Sequence, residues 1–237
     1  MELCDMHSHF LPGMDDGCKT AAEAIEVLKN SYMQGVRRIF ATPHYYPVES
    51  VQSFLERREA AYRDLLEAAR EEKDIPRICL GAEVAYRPGL GYAEDLDKLC
   101  LGTSRYLLLE MPFTHWNREV LRGVRNMYAA AGITPIIAHV ERYGEQNWRE
   151  LQGMDVLVQM NAGCLLRPTS RHMAKKLLKT EFVQLLGTDC HNLTDRAPNL
   201  GKAAQYLQKK KMADTMIQIM RLSNALFEEA TNKDAMN

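Results

Sequence analysis

Short apolar runs alternate along the chain with longer amphipathic stretches. Seven runs are rich in aliphatic residues: LCDM (3–6), RIFATPH (38–44), ICLGAEV (78–84), YLLLEM (106–111), PIIAHV (135–140), VLVQMN (156–161) and FVQLLGTD (182–189). They read as continuous apolar segments, which suits strands buried on both faces of a parallel sheet. Between them the period becomes helical. Thr20 and Glu23 have the spacing of a capping box and open a helix carrying Ile25, Leu28 and Tyr32. Residues 50–73 predict a charged helix with the stripe Phe54, Leu55, Tyr62, Leu65 and Leu66. A third begins near Asn117, carries Val120, Val124 and Met127, and stops near Gly132. Residues 195–230 read as one or two terminal helices. This alternation predicts an α/β protein, a TIM-like (β/α)7 barrel of parallel strands one unit short of the usual eight, with an open doubly wound sheet as the alternative. No repeat, low-complexity tract or linker interrupts it, so residues 1–237 are expected to form one domain.

The polar residues at the strand ends change the picture. Strand one ends in His7 and His9, strand two in His44, strand three in Glu83 and strand four in Glu110. Strand five gives His139, then Glu141 and Arg142; strand six gives Asn161; strand seven gives Asp189 and His191. In a parallel barrel all these ends meet at one face, where active sites are built. On a strand, H-x-H and D-x-H place both side chains on one side, within reach of one metal ion. With Asp15 or Asp16 the candidates number nine, too many for one tetrahedral site and suited to two or three metals bridged by carboxylates. His115 and His172 fall outside the pattern.

Composition excludes several classes. The 237 residues are 46% hydrophobic, enough for a large core, and the formal net charge is -1. There is no basic excess for a nucleic-acid track and no run approaching the roughly 20 apolar residues of a membrane span. The six cysteines form no C-x-x-C pair and are expected as reduced thiols. The start of the chain reads as lacking a secretory leader, and the expected location is the cytoplasm. Oligomeric state is not legible.

The stretches HSHFLPGMDDG (7–17), ATPH (41–44), GAE (81–83), LLLEMP (107–112), IAHVERY (137–143) and TDCHN (188–192) resemble the PHP (polymerase and histidinol phosphatase) family of metal-dependent phosphoesterases. They are most similar to its bacterial protein-tyrosine phosphatase branch, the CpsB/YwqE type linked to capsule and exopolysaccharide synthesis. The resemblance implies a distorted barrel of seven βα units and a trinuclear site, manganese first among the metals, with iron and zinc as other candidates. His7, His9, Glu83 and Asp189 would hold one ion, Glu83, Glu110 and His139 the second, and Asp16, His44 and His191 the third. Asp16 is favoured over Asp15, whose place would be behind the ligands. Arg142 and Arg196 match positions that grip phosphate. The implied reaction is attack of a metal-activated hydroxide on phosphotyrosine, with the tail of a bacterial tyrosine kinase as substrate. The loop 45–52 and the rim at Tyr86 and Arg87 could contact such a tail.

Rival readings exist. Residues 190–196, CHNLTDR, fit the C-x5-R spacing of cysteine-based tyrosine phosphatases. The stretch has no glycine to form a phosphate cradle, and Asp189 beside Cys190 would raise its thiol pKa. A phosphoesterase for a small ester such as histidinol phosphate is the alternative within the family. A metallo-amidohydrolase is disfavoured because no strand end offers a lysine to bridge metals, and a non-catalytic regulator because every station is filled.

Overall fold

The computed structural model describes residues 2–232; the expected domain also spans residues 1 and 233–237, which lie outside the described residues. Nine parallel strands are formed among the described residues: β1 (Leu3–Asp5), β2 (Val36–Ala41), β3 (His44–Tyr45), β4 (Arg77–Leu80), β5 (Glu83–Ala85), β6 (Tyr106–Glu110), β7 (Thr134–Ile137), β8 (Leu157–Asn161) and β9 (Leu185–Gly187). They lie in the orders β1-β2-β4 and β3-β5-β6-β7-β8-β9. Two pairs are single barrel staves with a break. Pro43, which has no N–H to give, separates β2 from β3, and Gly81 separates β4 from β5. A Cβ on Gly81 would stand 2.6 Å from Leu101 Cδ2, so a side chain there would displace the buried Leu101. The ladder continues over both breaks through Gly81 N–H to Ala41 O (2.8 Å) and Glu83 N–H to Pro43 O (3.0 Å). Seven staves result, one for each apolar run.

The sheet curls until its ends meet. Met6 N–H donates to Leu186 O (3.3 Å), Asp189 N–H to His7 O (2.8 Å) and His9 N–H to Cys190 O (2.8 Å), with a parallel bridge between Ser8 and Cys190. The closed, distorted barrel is therefore the form adopted, not the open sheet.

Helices wrap the staves: α1 (Ala21–Met33), α2 (Val51–Ala68), α3 (Arg118–Ala131), α4 (Gly144–Glu150), α5 (Arg171–Lys179), α6 (Leu200–Lys209) and α7 (Ala213–Thr231). The Thr20 hydroxyl accepts from Glu23 N–H, but Glu23 Oε2 takes the N–H of Lys19 rather than closing the box on Thr20. α2 stops at Ala68, short of the expected 73, because residues 70–74 offer nothing apolar to bury. Its stripe also differs: Leu66 is 46% exposed, while Arg58 and Ala61 turn inward and Arg58 donates to Gly81 O (2.9 Å). α4 and α5 were not legible, being only seven and nine residues long with few apolar positions to set a period. α3 runs from an Asn117 cap to a left-handed Gly132, as its spacing predicts.

α7 lies across the N-terminal ends of the staves. Glu228 pairs with Arg38 and Arg77, at the starts of β2 and β4, and Leu226, Phe227 and Ala230 pack with Cys4, Met6, Phe40, Leu108, Ile136 and Leu185. Phe227 meets Phe40 edge-on, with centroids 5.2 Å apart. All six cysteines are buried and unpaired. No helix among the described residues is long and apolar enough to cross a membrane. Phe227→Ala is expected to cost about 3–5 kcal/mol, the usual range for emptying an aromatic core position. Urea unfolding checks this, and a loss below about 1 kcal/mol would show that α7 does not seal the barrel.

Candidate metal centre

At the opposite end the strand termini bring the predicted residues together. His7 Nε2 and His9 Nε2 stand 2.9 Å apart. Glu83 Oε2 is 3.2 Å from each, and Asp189 Oδ1 is 3.7 and 3.4 Å from them. Beside this nest, His139 Nε2 lies 2.8 Å from Glu83 Oε1 and 3.4 Å from Glu110 Oε1. A third nest has Asp16 Oδ1 at 3.1 Å from His191 Nε2 and 3.6 Å from His44 Nε2. The carboxylate of Glu83 thus gives one oxygen to each of two nests.

The donor set fits divalent metal ions. Glu83 Oε2 has the imidazole nitrogens of His7, His9 and His44 at 3.0–3.2 Å, yet makes no hydrogen bond, and His191 Nε2 is likewise buried without one. Buried polar atoms left in this way are costly, and a cation beside each would satisfy it. Combinations of these residues, among them His7–His9–Asp189 and His44–Glu83–Glu110, bring ligand atoms within 4.8 Å of one another.

Local structure fixes each station. His139 follows β7 rather than lying on it, with φ of 31°, and Asp189 has φ of 54°. Both occupy the left-handed region, which histidine and aspartate enter more readily than most residues. Strained backbone of this kind concentrates at functional sites. Asp15 and Asp16 part company. Asp15 Oδ2 accepts from His9 Nδ1 (2.8 Å) and His44 N–H (3.0 Å), and Oδ1 accepts from Gly17 N–H. Its oxygens are thus taken by hydrogen bonds, whereas the 64%-exposed Asp16 reaches the His44–His191 pair; Asp15, Asp16 and His44 together also bring candidate ligand atoms within 4.8 Å of one another. A Cβ on Gly17 would stand 1.8 Å from His9 O, so the turn requires glycine.

Arg142 Nη2 donates to Asp189 Oδ2 (2.5 Å), and Arg196 Nη2 donates to Asp189 Oδ1 (2.7 Å). Two guanidinium groups thus converge at the edge of the first nest. His115, on the loop after β6, and His172, on α5, are both exposed. Cys190 is fully buried, and burial followed by the Asp5 charge pushes its thiol well above the usual range. A thiol so placed is no nucleophile.

Two supporting residues escaped the sequence reading. Gln159 is buried in β8, where its Oε1 accepts from His139 N–H (2.7 Å) and lies 3.3 Å from His7 Nδ1. Its amide donates to Asn161 Oδ1, and Asn161 donates to Asp189 Oδ2 (2.9 Å). Asp5 accepts from the Thr188 N–H (2.8 Å) and hydroxyl (2.6 Å), stitching β1 to β9 beneath His7 and Asp189. The signal was present: each is a polar residue in an apolar strand, two positions before a strand-end group.

Charge settles around this frame. Burial alone would raise the Glu83 carboxyl, but the His7 charge and the hydrogen bond from His139 hold it well below its usual range. Burial works against His9 too, yet Asp15 and Glu83 lift it to about 10. His139, opposed by burial but bonded to Glu110 and Glu83, rises to about 9. His191 falls to about 4, through burial and then the charges of His9 and Arg196.

A family model described as capsular polysaccharide synthesis, CpsB/CapC, matches residues 3–226. The tyrosine-protein phosphatase CpsB of Streptococcus pneumoniae is 33% identical over 231 residues, covering 88% of this chain and 90% of the relative. The tyrosine-protein phosphatase YwqE of Bacillus subtilis is 29% identical over 220 residues, 88% and 85% of the two chains. A solved structure described as belonging to YwqE and CpsB, metal-dependent tyrosine phosphatases, superposes with a TM-score of 0.83 at 24% identity, over 97% of this chain and 96% of that one.

The raised pKa values carry a sign. A histidine raised on folding stabilises the fold fully below its unfolded value near 6.5, and that contribution is lost as pH climbs through the folded value. For His9 and His139 the loss falls between about pH 6.5 and 10. His191 acts oppositely, but below about pH 6.5. Metal-free protein is therefore expected to lose unfolding free energy from pH 7 to 9. Manganese loading, which needs neutral imidazoles, should abolish the decline and release protons. Urea titrations at three pH values test this, and a flat metal-free profile refutes it. Gln159→Ala is expected to weaken manganese binding by about 10–100-fold, as outer-shell losses do, with unchanged circular dichroism. Unaltered affinity by calorimetry would remove Gln159 from the site.

Proposed function

The chain belongs to the CpsB/CapC family of capsular polysaccharide synthesis, and on that premise we propose how its barrel mouth serves a metal-dependent protein-tyrosine phosphatase. The observation that carries the reading is the buried Glu83 carboxylate, shared between two ligand nests beside two arginines. Our reading assigns His7, His9, Glu83 and Asp189 to one divalent ion, Glu83, Glu110 and His139 to a second, and Asp16, His44 and His191 to a third. Imidazole and carboxylate donors accept manganese, iron or zinc, and manganese is our first choice. When bound, such ions lower the pKa of water and neutralise charge developing on a phosphoryl group.

The chain's own residues do the rest. Arg142 and Arg196 turn from Asp189 to the phosphate, where each planar fork meets two oxygens and offsets their charge in the transition state. Asp15 fixes the His9 ring by holding its Nδ1–H, which leaves Nε2 free for the nest. Asp189 steadies both guanidiniums between turnovers. A phenolate, with a pKa near 10, leaves with little protonation. No cysteine adduct is needed.

The substrate class is a phosphotyrosine protein. We assign it, more narrowly, to the tail of a bacterial tyrosine kinase in the cytoplasm, met by the loop 45–52 and the rim at Tyr86 and Arg87. Arg87 donates to Pro47 O (3.0 Å) and so braces that loop.

Hydrolysis of a phosphotyrosine peptide should vanish after chelation and return with manganese, and should exceed turnover of histidinol phosphate. Cys190→Ser should keep most activity. His139→Ala should lose more than about 100-fold, beyond the range of an outer-shell defect. Arg142→Ala or Arg196→Ala should each cost about 10²–10³ in kcat, as for loss of one donor to a developing anion. Activity indifferent to chelator and lost in Cys190→Ser would overturn the metal reading.

A further inference from the structure

Several exposed large hydrophobic residues ride on outer helices: Met33, Leu66, Tyr128 and Ile217. Isolated apolar positions there are ordinary. Tyr46 and Phe113 differ. They are 49% and 63% exposed, on the loops that follow β3 and β6, and each ring lies against an imidazole of the metal cluster. The Phe113 plane is within 11° of the His139 ring, with centroids 6.2 Å apart. The Tyr46 plane is within 24° of His44, with centroids 5.4 Å apart. Phe113 also leans on Tyr143, at 5.5 Å, which gives it a fixed backing.

Their place around the barrel is one-sided. Counted as seven staves, the aromatic loops follow the second and fourth, while Arg142 and Arg196 follow the fifth and seventh. The mouth therefore has an anion-gripping side and an aromatic side, with the ligand nests between. An aryl phosphomonoester has the same division: a charged head one oxygen away from a flat apolar ring. An alkyl phosphate has no such ring.

We infer that Tyr46 and Phe113 form the receptor for the substrate's aryl ring and set the preference for aryl over alkyl phosphate esters. This rests on the phosphatase reading above and specifies what that site selects. Ring contacts add to simple burial because aromatic pairs favour stacked or edge-on packing. Their loss should appear chiefly in binding, since the rings touch neither the phosphorus nor the attacking oxygen.

The test uses manganese-loaded protein with phenylphosphonate and methylphosphonate, which share a charged head and resist hydrolysis. Wild-type protein should bind the phenyl compound about tenfold more tightly or better. The double variant Tyr46→Ala, Phe113→Ala should lose that preference with methylphosphonate affinity unchanged. Phe113→Trp and Tyr46→Phe should retain it. With a phosphotyrosine peptide, the double variant should raise KM more than it lowers kcat. Three results overturn the inference: no preference in wild-type protein, a preference that survives the double substitution, or parallel weakening of both phosphonates. The last would mean that the rings only brace the imidazoles. The phosphatase reading fails separately, if wild-type protein binds the phenyl compound preferentially but hydrolyses no phosphotyrosine peptide; that result would still support the ring receptor.

Discussion

The constraint on which the rest depends is a buried carboxylate among imidazoles. Glu83 is 1% exposed and has four histidines, His7, His9, His44 and His139, within 3.2 Å. A lone charge at such depth would be costly. Here each group depends on the others' charge or on a cation, and removing one leaves the remainder uncompensated. The site is thus also a structural element, because it ties β1, β3 and β5 to the turn after β7.

The barrel is built to bring those distant segments together. The seam between β1 and β9 is closed by few main-chain bonds, one from Met6 to Leu186 and two at His7, His9, Asp189 and Cys190, so closure and site assembly go together. Asp5 and Thr188 reinforce the seam one layer below. The opposite end carries the apolar load, where α7 buries Phe227 against Phe40. Stability is concentrated at one mouth, and the other is free to hold polar groups that would weaken an ordinary core.

Much of this was legible in the sequence because two signals coincide. Aliphatic runs mark the staves, and the residue at each run's end marks the site. Period-two spacing in H-S-H and D-C-H already places candidate ligand pairs on one face. Tertiary detail was not legible. The breaks at Pro43 and Gly81 depend on what packs beside them, and the end of β7 two residues before His139 depends on a left-handed turn. The different surroundings of Asp15 and Asp16 are set by which oxygens meet main-chain N–H groups. Gln159 was passed over because an amide inside an apolar strand reads as an exception until its partners are seen.

The seam has a consequence for biogenesis. The first candidate ligands made, His7 and His9, complete their backbone pairing only with Asp189 and Cys190, and the barrel floor waits for α7, after residue 213. Contacts of such long sequence separation form late and slowly. A nascent chain would carry its leading histidines unpaired through most of synthesis. During that interval they are open to any divalent ion in the surroundings, so the moment of closure bears on which metal is trapped.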